Sequence, residues 1–122
     1  MAHKFTISTN DGGEYAAKFV YNAEIIFWSE NYKSKASAEN CIASIKKNAP
    51  GASVVDLTDG GGEGKGYRFE VAPSKDGQTF VRFVAANGEP MVRTETYKSK
   101  SSALNAIKSM QTNGPKAEIL IG

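Results

Sequence analysis

Apolar side chains recur at or near every second position over Lys4–Ser8, Tyr15–Tyr21 and Glu24–Glu30, the period of strands that bury one face. Asn10-Asp11-Gly12-Gly13 and Asn22-Ala23 separate the three stretches, and both read as hairpin turns. Beyond Tyr32 the spacing changes. Ala38, Cys41, Ile42, Ile45 and Ala49 follow the three-to-four residue period of an amphipathic helix. Ser34 is a good N-cap for that helix, and Pro50 stops it because proline has no N–H to continue the ladder. A final apolar stretch, Ser53–Leu57, predicts a closing strand.

The same pattern then returns. Tyr32–Pro50 placed over Tyr97–Pro115 gives eleven identities in nineteen positions at one offset, among them Tyr32/Tyr97, Ser37/Ser102, Asn40/Asn105, Ile42/Ile107 and Ser44/Ser109. Upstream, Phe5-Thr6-Ile7 matches Phe69-Glu70-Val71 at an offset one residue shorter, and the missing residue falls in the turn at Asn22. The second copy predicts strands over Tyr67–Ala72, Thr79–Ala86 and Glu89–Glu95, with a helix capped by Ser99 and stopped at Gly114-Pro115. A closing strand over Ala117–Ile121 completes it. Asn87-Gly88 is the strongest two-residue hairpin signal in the chain.

The fold class is therefore α+β: a tandem duplication of a β-β-β-α-β unit. Residues 1–58 form the first repeat, 59–66 a glycine-rich linker and 67–122 the second repeat. One unit alone buries too little surface for comfortable stability. The two are expected to share one mainly antiparallel sheet with both helices on one face. The paired Tyr-Lys-Ser-Lys-x-Ser-Ala-x-Asn-x-Ile helix starts and Asn87-Gly88-Glu89 resemble the YegP-like family, bacterial tandem-repeat proteins of unknown function. The resemblance covers essentially the whole chain, although Asn22-Ala23-Glu24 departs from the hairpin motif in the first copy. It implies closing strands exchanged between the repeats, and it brings no activity and no catalytic residues.

Charge adds little direction. The first repeat balances six basic against six acidic residues, and the second carries eight against five. That is far from the basic stripe of a dedicated polyanion binder. Cys41 stands alone, so no disulfide joins the repeats and no oxidising compartment is implied. The start of the chain lacks the apolar segment of a signal peptide and no stretch is long enough to span a membrane, so a cytoplasmic location is expected.

Candidate chemistry is thin. Gly64-Lys65 suggests a phosphate loop, but Asp59 stands where its first glycine belongs, Gly66 replaces the magnesium-binding hydroxyl, and a strand follows. Cys41 lies in the apolar stripe of its helix, and the only histidine, His3, is expected in a frayed terminus. One Cys and one His make no ordinary metal site, and no cofactor is expected. Glu24/Glu89 and Glu30/Glu95 recur in both copies and read as solvated charges bracketing the third strands. An enzyme is not expected from this inventory.

Two features remain. Lys33-Ser34-Lys35 and Lys98-Ser99-Lys100 set lysines beside helix N-termini, against the helix dipole, in a pattern that suits a small anion. Strand alternation also predicts an open sheet face carrying Lys18, Val20, Ile26, Trp28, Phe80, Arg82, Val84, Met91 and Arg93, with Ile25 and Phe27 turned to the core. A solvated face has no need of so many apolar side chains. The expectation is a non-enzymatic binding or protein-interaction module, self-association through Ile26, Trp28, Val84 and Met91 being one form of it. The alternative is single-stranded nucleic acid stacked on Trp28 and Phe80, with Lys18, Arg82 and Arg93 on its phosphates. No membrane partner is expected.

Overall fold

A computed structural model describes residues 3–22, 24–58 and 66–121. Ala23 of the Asn22-Ala23 turn in the first copy and residues 59–65 of the linker, Asp59, Gly64 and Lys65 among them, lie outside the described residues. The elements in chain order are β1 (His3–Thr9), β2 (Tyr15–Tyr21), β3 (Glu24–Ser29), α1 (Lys35–Asn48) and β4 (Ser53–Asp56), then β5 (Arg68–Pro73), β6 (Thr79–Val84), β7 (Pro90–Arg93), α2 (Lys100–Asn113) and β8 (Glu118–Ile121). All eight strands form one sheet in the order β4-β5-β6-β7-β3-β2-β1-β8. Within each copy the first three strands pair antiparallel, and β3 meets β7 antiparallel at the centre, with Trp28 opposite Arg93.

The closing strands cross over. β4 of the first copy lies parallel to β5 of the second, and β8 of the second lies parallel to β1 of the first. Each copy thus supplies an edge of the other's half-sheet. The helix ends lock the same exchange. The Lys46 ammonium donates to the Ala117 carbonyl at 2.7 Å, and the Gln111 side-chain amide donates to the Ala49 and Ala52 carbonyls, both at 3.2 Å. Lys46 and Gln111 are equivalent positions, so each helix holds the single 3-10 turn that leads into the other copy's closing strand.

Local chemistry explains the helix boundaries. Ser34 and Ser99 accept hydrogen bonds from the Ser37 and Ser102 backbone N–H groups, each at 3.2 Å, satisfying donors that the first turn leaves unpaired. At the other end, Pro50 and Pro115 lie within the 3-10 turns that end each helix. In the second hairpin Gly88 adopts φ +89°, a conformation strained for any side chain with a Cβ. The buried faces of both helices meet the sheet in a single core. A run of phenylalanines crosses it: Phe5 to Phe19 at 4.9 Å, Phe19 to Phe27 at 6.4 Å, Phe27 to Phe69 at 6.1 Å and Phe69 to Phe83 at 4.8 Å between ring centres. The Phe27–Phe69 step joins the copies, so the two repeats share one core rather than packing two finished ones.

His3 belongs to β1 and is not frayed. It pairs with Tyr21, stacks on Phe19 at 5.4 Å, and hydrogen-bonds through Nε2 to the Ser109 hydroxyl at 2.9 Å. Burial holds its pKa below the usual histidine value.

Candidate functional site

The face turned away from the helices is built around the β3–β7 seam. Trp28 and Arg93 lie opposite each other there, with the Arg93 guanidinium 5.9 Å from the Trp28 ring centre and 4.5 Å from that of Phe80. The Arg82 guanidinium lies 5.9 Å from the same Phe80 ring centre. Arg93 thus reaches two aromatic rings, a geometry in which a cation is attracted to the ring faces. Two hollows flank this cluster. One of about 520 Å³ is lined by Lys18, Ile25, Trp28, Glu24 and Glu95 among others, and one of about 300 Å³ by Phe80, Arg82, Pro90, Arg93 and Glu30 among others. Several of their residues correspond through the duplication, Lys18 with Arg82, Ile25 with Pro90 and Glu95 with Glu30, while Ala16 of the first stands in the place of Phe80 in the second.

Lys18, Trp28, Phe80, Arg82 and Arg93 therefore gather on one face, as alternation predicted. Ile26 and Met91 do not belong to that set; both pack against the helix-side core. The cause is a pair of β-bulges. Phe19 pairs with Phe27 and Val20 with Ile25, so Ile26 is an extra residue that resets the alternation; Phe83–Val92 and Val84–Pro90 repeat the shift at Met91. Ile25, assigned to the core by simple alternation, is 39% exposed and lines the larger hollow. Met91 still contributes to the rim of the smaller one. Val84 is also lost to any interface, being buried beside Arg68. Nearby, Glu70 is held by Arg68 at 2.8 Å and Arg82 at 2.6 Å, so part of the Arg82 charge is already neutralised. Burial opposes ionisation of Glu70, and the two guanidinium groups outweigh it, leaving its pKa below the ordinary value.

The helix starts are also partly committed. Ser34 and Ser99 serve as caps, and Lys100 pairs with Asp56 of the first copy at 2.6 Å, bridging the repeats. Hydrogen bonds from Lys100 and Thr58 bring the Asp56 carboxyl down to about 2. The sequence equivalent of Asp56 in the second copy is Ile121, so the first helix start has no matching acid there. Lys33, Lys35 and Lys98 are exposed.

Cys41 is buried at 4% exposure, and burial pushes its thiol up, with the Tyr32 hydroxyl acting in the opposite sense. A thiol in that state is a poor nucleophile. No group of three His, Cys, Asp or Glu side chains placed to hold a metal occurs among the described residues. The phosphate-loop reading fails here too, since Gly66 and Tyr67 lead into strand β5 and not into a helix.

Residue-by-residue reading missed two clefts on the helix side, where each helix faces the third strand or hairpin of the opposite copy. Tyr32, Ser37, Asn40 and Ser44 share one cleft of about 240 Å³ with Glu89, Glu30 and Met91. Tyr97, Ser102, Asn105 and Ser109 share the other, about 260 Å³, with Glu24 and Ile26. The recurring glutamates, read from sequence as solvated turn charges, are brought against the recurring tyrosines. Burial is the main cause that raises both phenols; at Tyr32 the Cys41 thiol comes next and then Glu30 and Glu89, and at Tyr97 Glu95 and Glu24 add to it. The signal was present in the alignment of the two copies. Only the strand order shows that residues of different copies converge.

These features define the class as a duplicated β₃αβ protein with exchanged closing strands. The family described as a domain of unknown function, DUF1508, matches residues 11–56 and again 74–120. A UPF0339 protein of Bordetella pertussis is 38% identical over 96 residues, 79% of this chain and 74% of that protein. A UPF0339 protein of Caulobacter vibrioides is 63% identical over 59 residues, 48% of this chain and all of that protein, which therefore has the length of a single unit. Among solved structures, the solution NMR structure of the protein of unknown function yegP from E. coli superimposes with a TM-score of 0.79 at 26% identity, covering 100% of this chain and 94% of that one. The NMR structure of the UPF0339 protein of Shewanella oneidensis gives the same TM-score at 24% identity, covering 99% and 92%, and shows the fold alone. The chain belongs to the DUF1508 family, for which no activity is established.

Proposed function

We propose that this protein is a non-enzymatic interaction module, acting in the cytoplasm, that engages a partner protein through the sheet face opposite its helices. The observation that carries this reading is the Trp28–Arg93–Phe80 cluster beside the hollow of about 520 Å³. A large aromatic at the centre of a face, stacked by arginine and bordered by a hollow, is the composition of an interface anchor. The working unit in this reading is the whole pair, repeats 1–58 and 67–122 joined by 59–66. A cleft built from both copies needs both. No helix among the described residues is long and apolar enough to cross a membrane, so the reading calls for no lipid contact. Of the four residues considered for self-association, Ile26, Trp28, Val84 and Met91, Val84 is buried and Ile26 and Met91 are partly buried against the core, so Trp28 is the one that chiefly presents to a partner.

Single-stranded nucleic acid is the second reading, favoured by Lys18, Arg82 and Arg93 around the two aromatics. Glu70 on Arg82 and the glutamates in both hollows weigh against it. Native mass spectrometry of the protein from its host, wild type beside Trp28→Ala, tests both. A stoichiometric protein complex lost in the variant supports the interaction reading. Recovery of both proteins as the same free species refutes it. Quenching of Trp28 fluorescence by mixed oligonucleotides, reversed by salt, would move the assignment to nucleic acid.

A further inference from the structure

Most solvent-directed positions of the two helices have diverged, the helix-start pair Lys35/Lys100 excepted. Ala36/Ser101, Glu39/Leu104, Ala43/Lys108 and Lys47/Thr112 are equivalent pairs, and all four differ. Even core pairs have changed, as Cys41/Ala106 and Ile45/Met110 show. One stripe has not. Ser37/Ser102, Asn40/Asn105, Ser44/Ser109 and Asn48/Asn113 run along one side of each helix at helical spacing, and all four pairs are identical. The first three pairs line the two helix-side clefts, joined there by the identical pairs Tyr32/Tyr97 and Glu89/Glu24. Capping accounts for Ser37 and Ser102. Nothing comparable accounts for Asn40 and Asn105, which are exposed and whose amides make no hydrogen bond among the described residues. Glu24 and Glu89 are likewise exposed, and neither carboxylate enters an ion pair among the described residues. Identity at exposed polar positions that make no contact within the fold is what a contact from outside the fold would maintain.

We infer that the two clefts are equivalent ligand sites, each accepting a primary alkylammonium group. Both linings contain a glutamate, a tyrosine, two serines and an asparagine, each with an oxygen able to accept a hydrogen bond, although the Ser109 hydroxyl is already shared with His3. The first cleft adds Glu30, Tyr67 and Asn87, and neither contains a lysine or arginine. An ammonium has three donors and no acceptor, which suits that set. The floor is apolar, Cys41 and Met91 in one cleft and Ala106 and Ile26 in the other, and would cover the alkyl stem. An anionic ligand would meet Glu89 and Glu30 in one site and Glu24 in the other. Each site takes its glutamate from one copy and its helix stripe from the other, so each exists only in the assembled pair. These clefts open between helix and sheet rather than at the Trp28–Arg93 cluster, but the surfaces meet at shared residues: Glu24 also borders the hollow of about 520 Å³, and Glu30, Pro90 and Met91 border the smaller one.

The test is titration of the ¹⁵N-labelled full chain with n-butylammonium chloride, with n-butanol and matched sodium chloride as controls. Shift changes are expected at Asn40, Ser44 and Glu89 and at Asn105, Ser109 and Glu24, saturating at millimolar concentrations or below, about the range one charge-assisted contact supports. Glu24→Gln should weaken the site beside α2 roughly tenfold or more and leave the site beside α1 unchanged, and Glu89→Gln should do the reverse. Both are near-isosteric changes at exposed positions, and retained spectral dispersion verifies the fold. Nα-acetyl-lysine amide presents the same group on a peptide. Tighter binding of that probe identifies a lysine side chain as the source, and tighter binding of butylammonium a free amine. No shifts with either probe, equal shifts with butanol, or indifference to both substitutions would overturn the assignment.

Discussion

Replacing Ile42 with alanine removes three carbon atoms from a side chain with no solvent exposure, in the middle of α1. Transfer of those atoms is worth about 2.4 kcal/mol at about 0.8 kcal/mol per carbon. Incomplete collapse of the surrounding core adds a cavity cost, bringing the expected loss to about 3–4 kcal/mol. The core is shared between the copies, so relaxation around the gap is opposed by both halves at once. At about 2.1 cal/mol/K of unfolding entropy per residue, that loss lowers Tm by about 12–16 °C for a chain of this length. Urea unfolding followed by Trp28 fluorescence and by circular dichroism should show a lower midpoint with an unchanged slope. Leu104→Ala supplies the control: it is also a helical aliphatic, but 42% exposed, and should cost about 0.5 kcal/mol or less. A loss below about 1 kcal/mol for Ile42→Ala, or equal losses for the two variants, would refute the burial argument.

Trp28→Ala should cost only about 1 kcal/mol of stability, since the ring is half-buried and loses mainly its Arg93 contact, while weakening partner binding by at least about 2 kcal/mol in a direct titration. Residues 1–58 alone should self-associate, because β4 finds its partner β5 only in the other copy; sedimentation showing a cooperatively folded monomer would contradict the exchange. The single-unit length of the Caulobacter relative makes a dimer of units the natural comparison. Asp56 should titrate near 2 by carboxyl NMR and return toward 3.8 in Lys100→Ala. Because its folded pKa is depressed, its contribution to stability is present above about pH 4 and is lost as pH falls toward 2.

Much of this architecture could be read from the chain because its signals are local or duplicated. Ser34 and Ser99 announce helix starts through hydroxyls that need partners only three residues away. Asn87-Gly88 announces a turn through a backbone conformation that glycine tolerates. Ile42 and Ile107 declare themselves core because a helix repeats its inward side at a known interval. Alternation likewise placed Trp28, Phe80, Arg82 and Arg93 on one face. It failed at Ile26 and Met91, since a bulge leaves the composition of a strand unchanged and alters only its pairing. Glu24 and Glu89 were legible as repeated residues but not as cleft residues. Their neighbours Tyr97 and Tyr32 lie in the other copy, and only the antiparallel seam between β3 and β7 brings them together. Sequence thus determined the elements, the duplication and most of the core, all properties of short-range periodicity. Which residues of different copies share a surface was decided by strand order and register, which depend on pairings between distant parts of the chain such as Trp28 with Arg93.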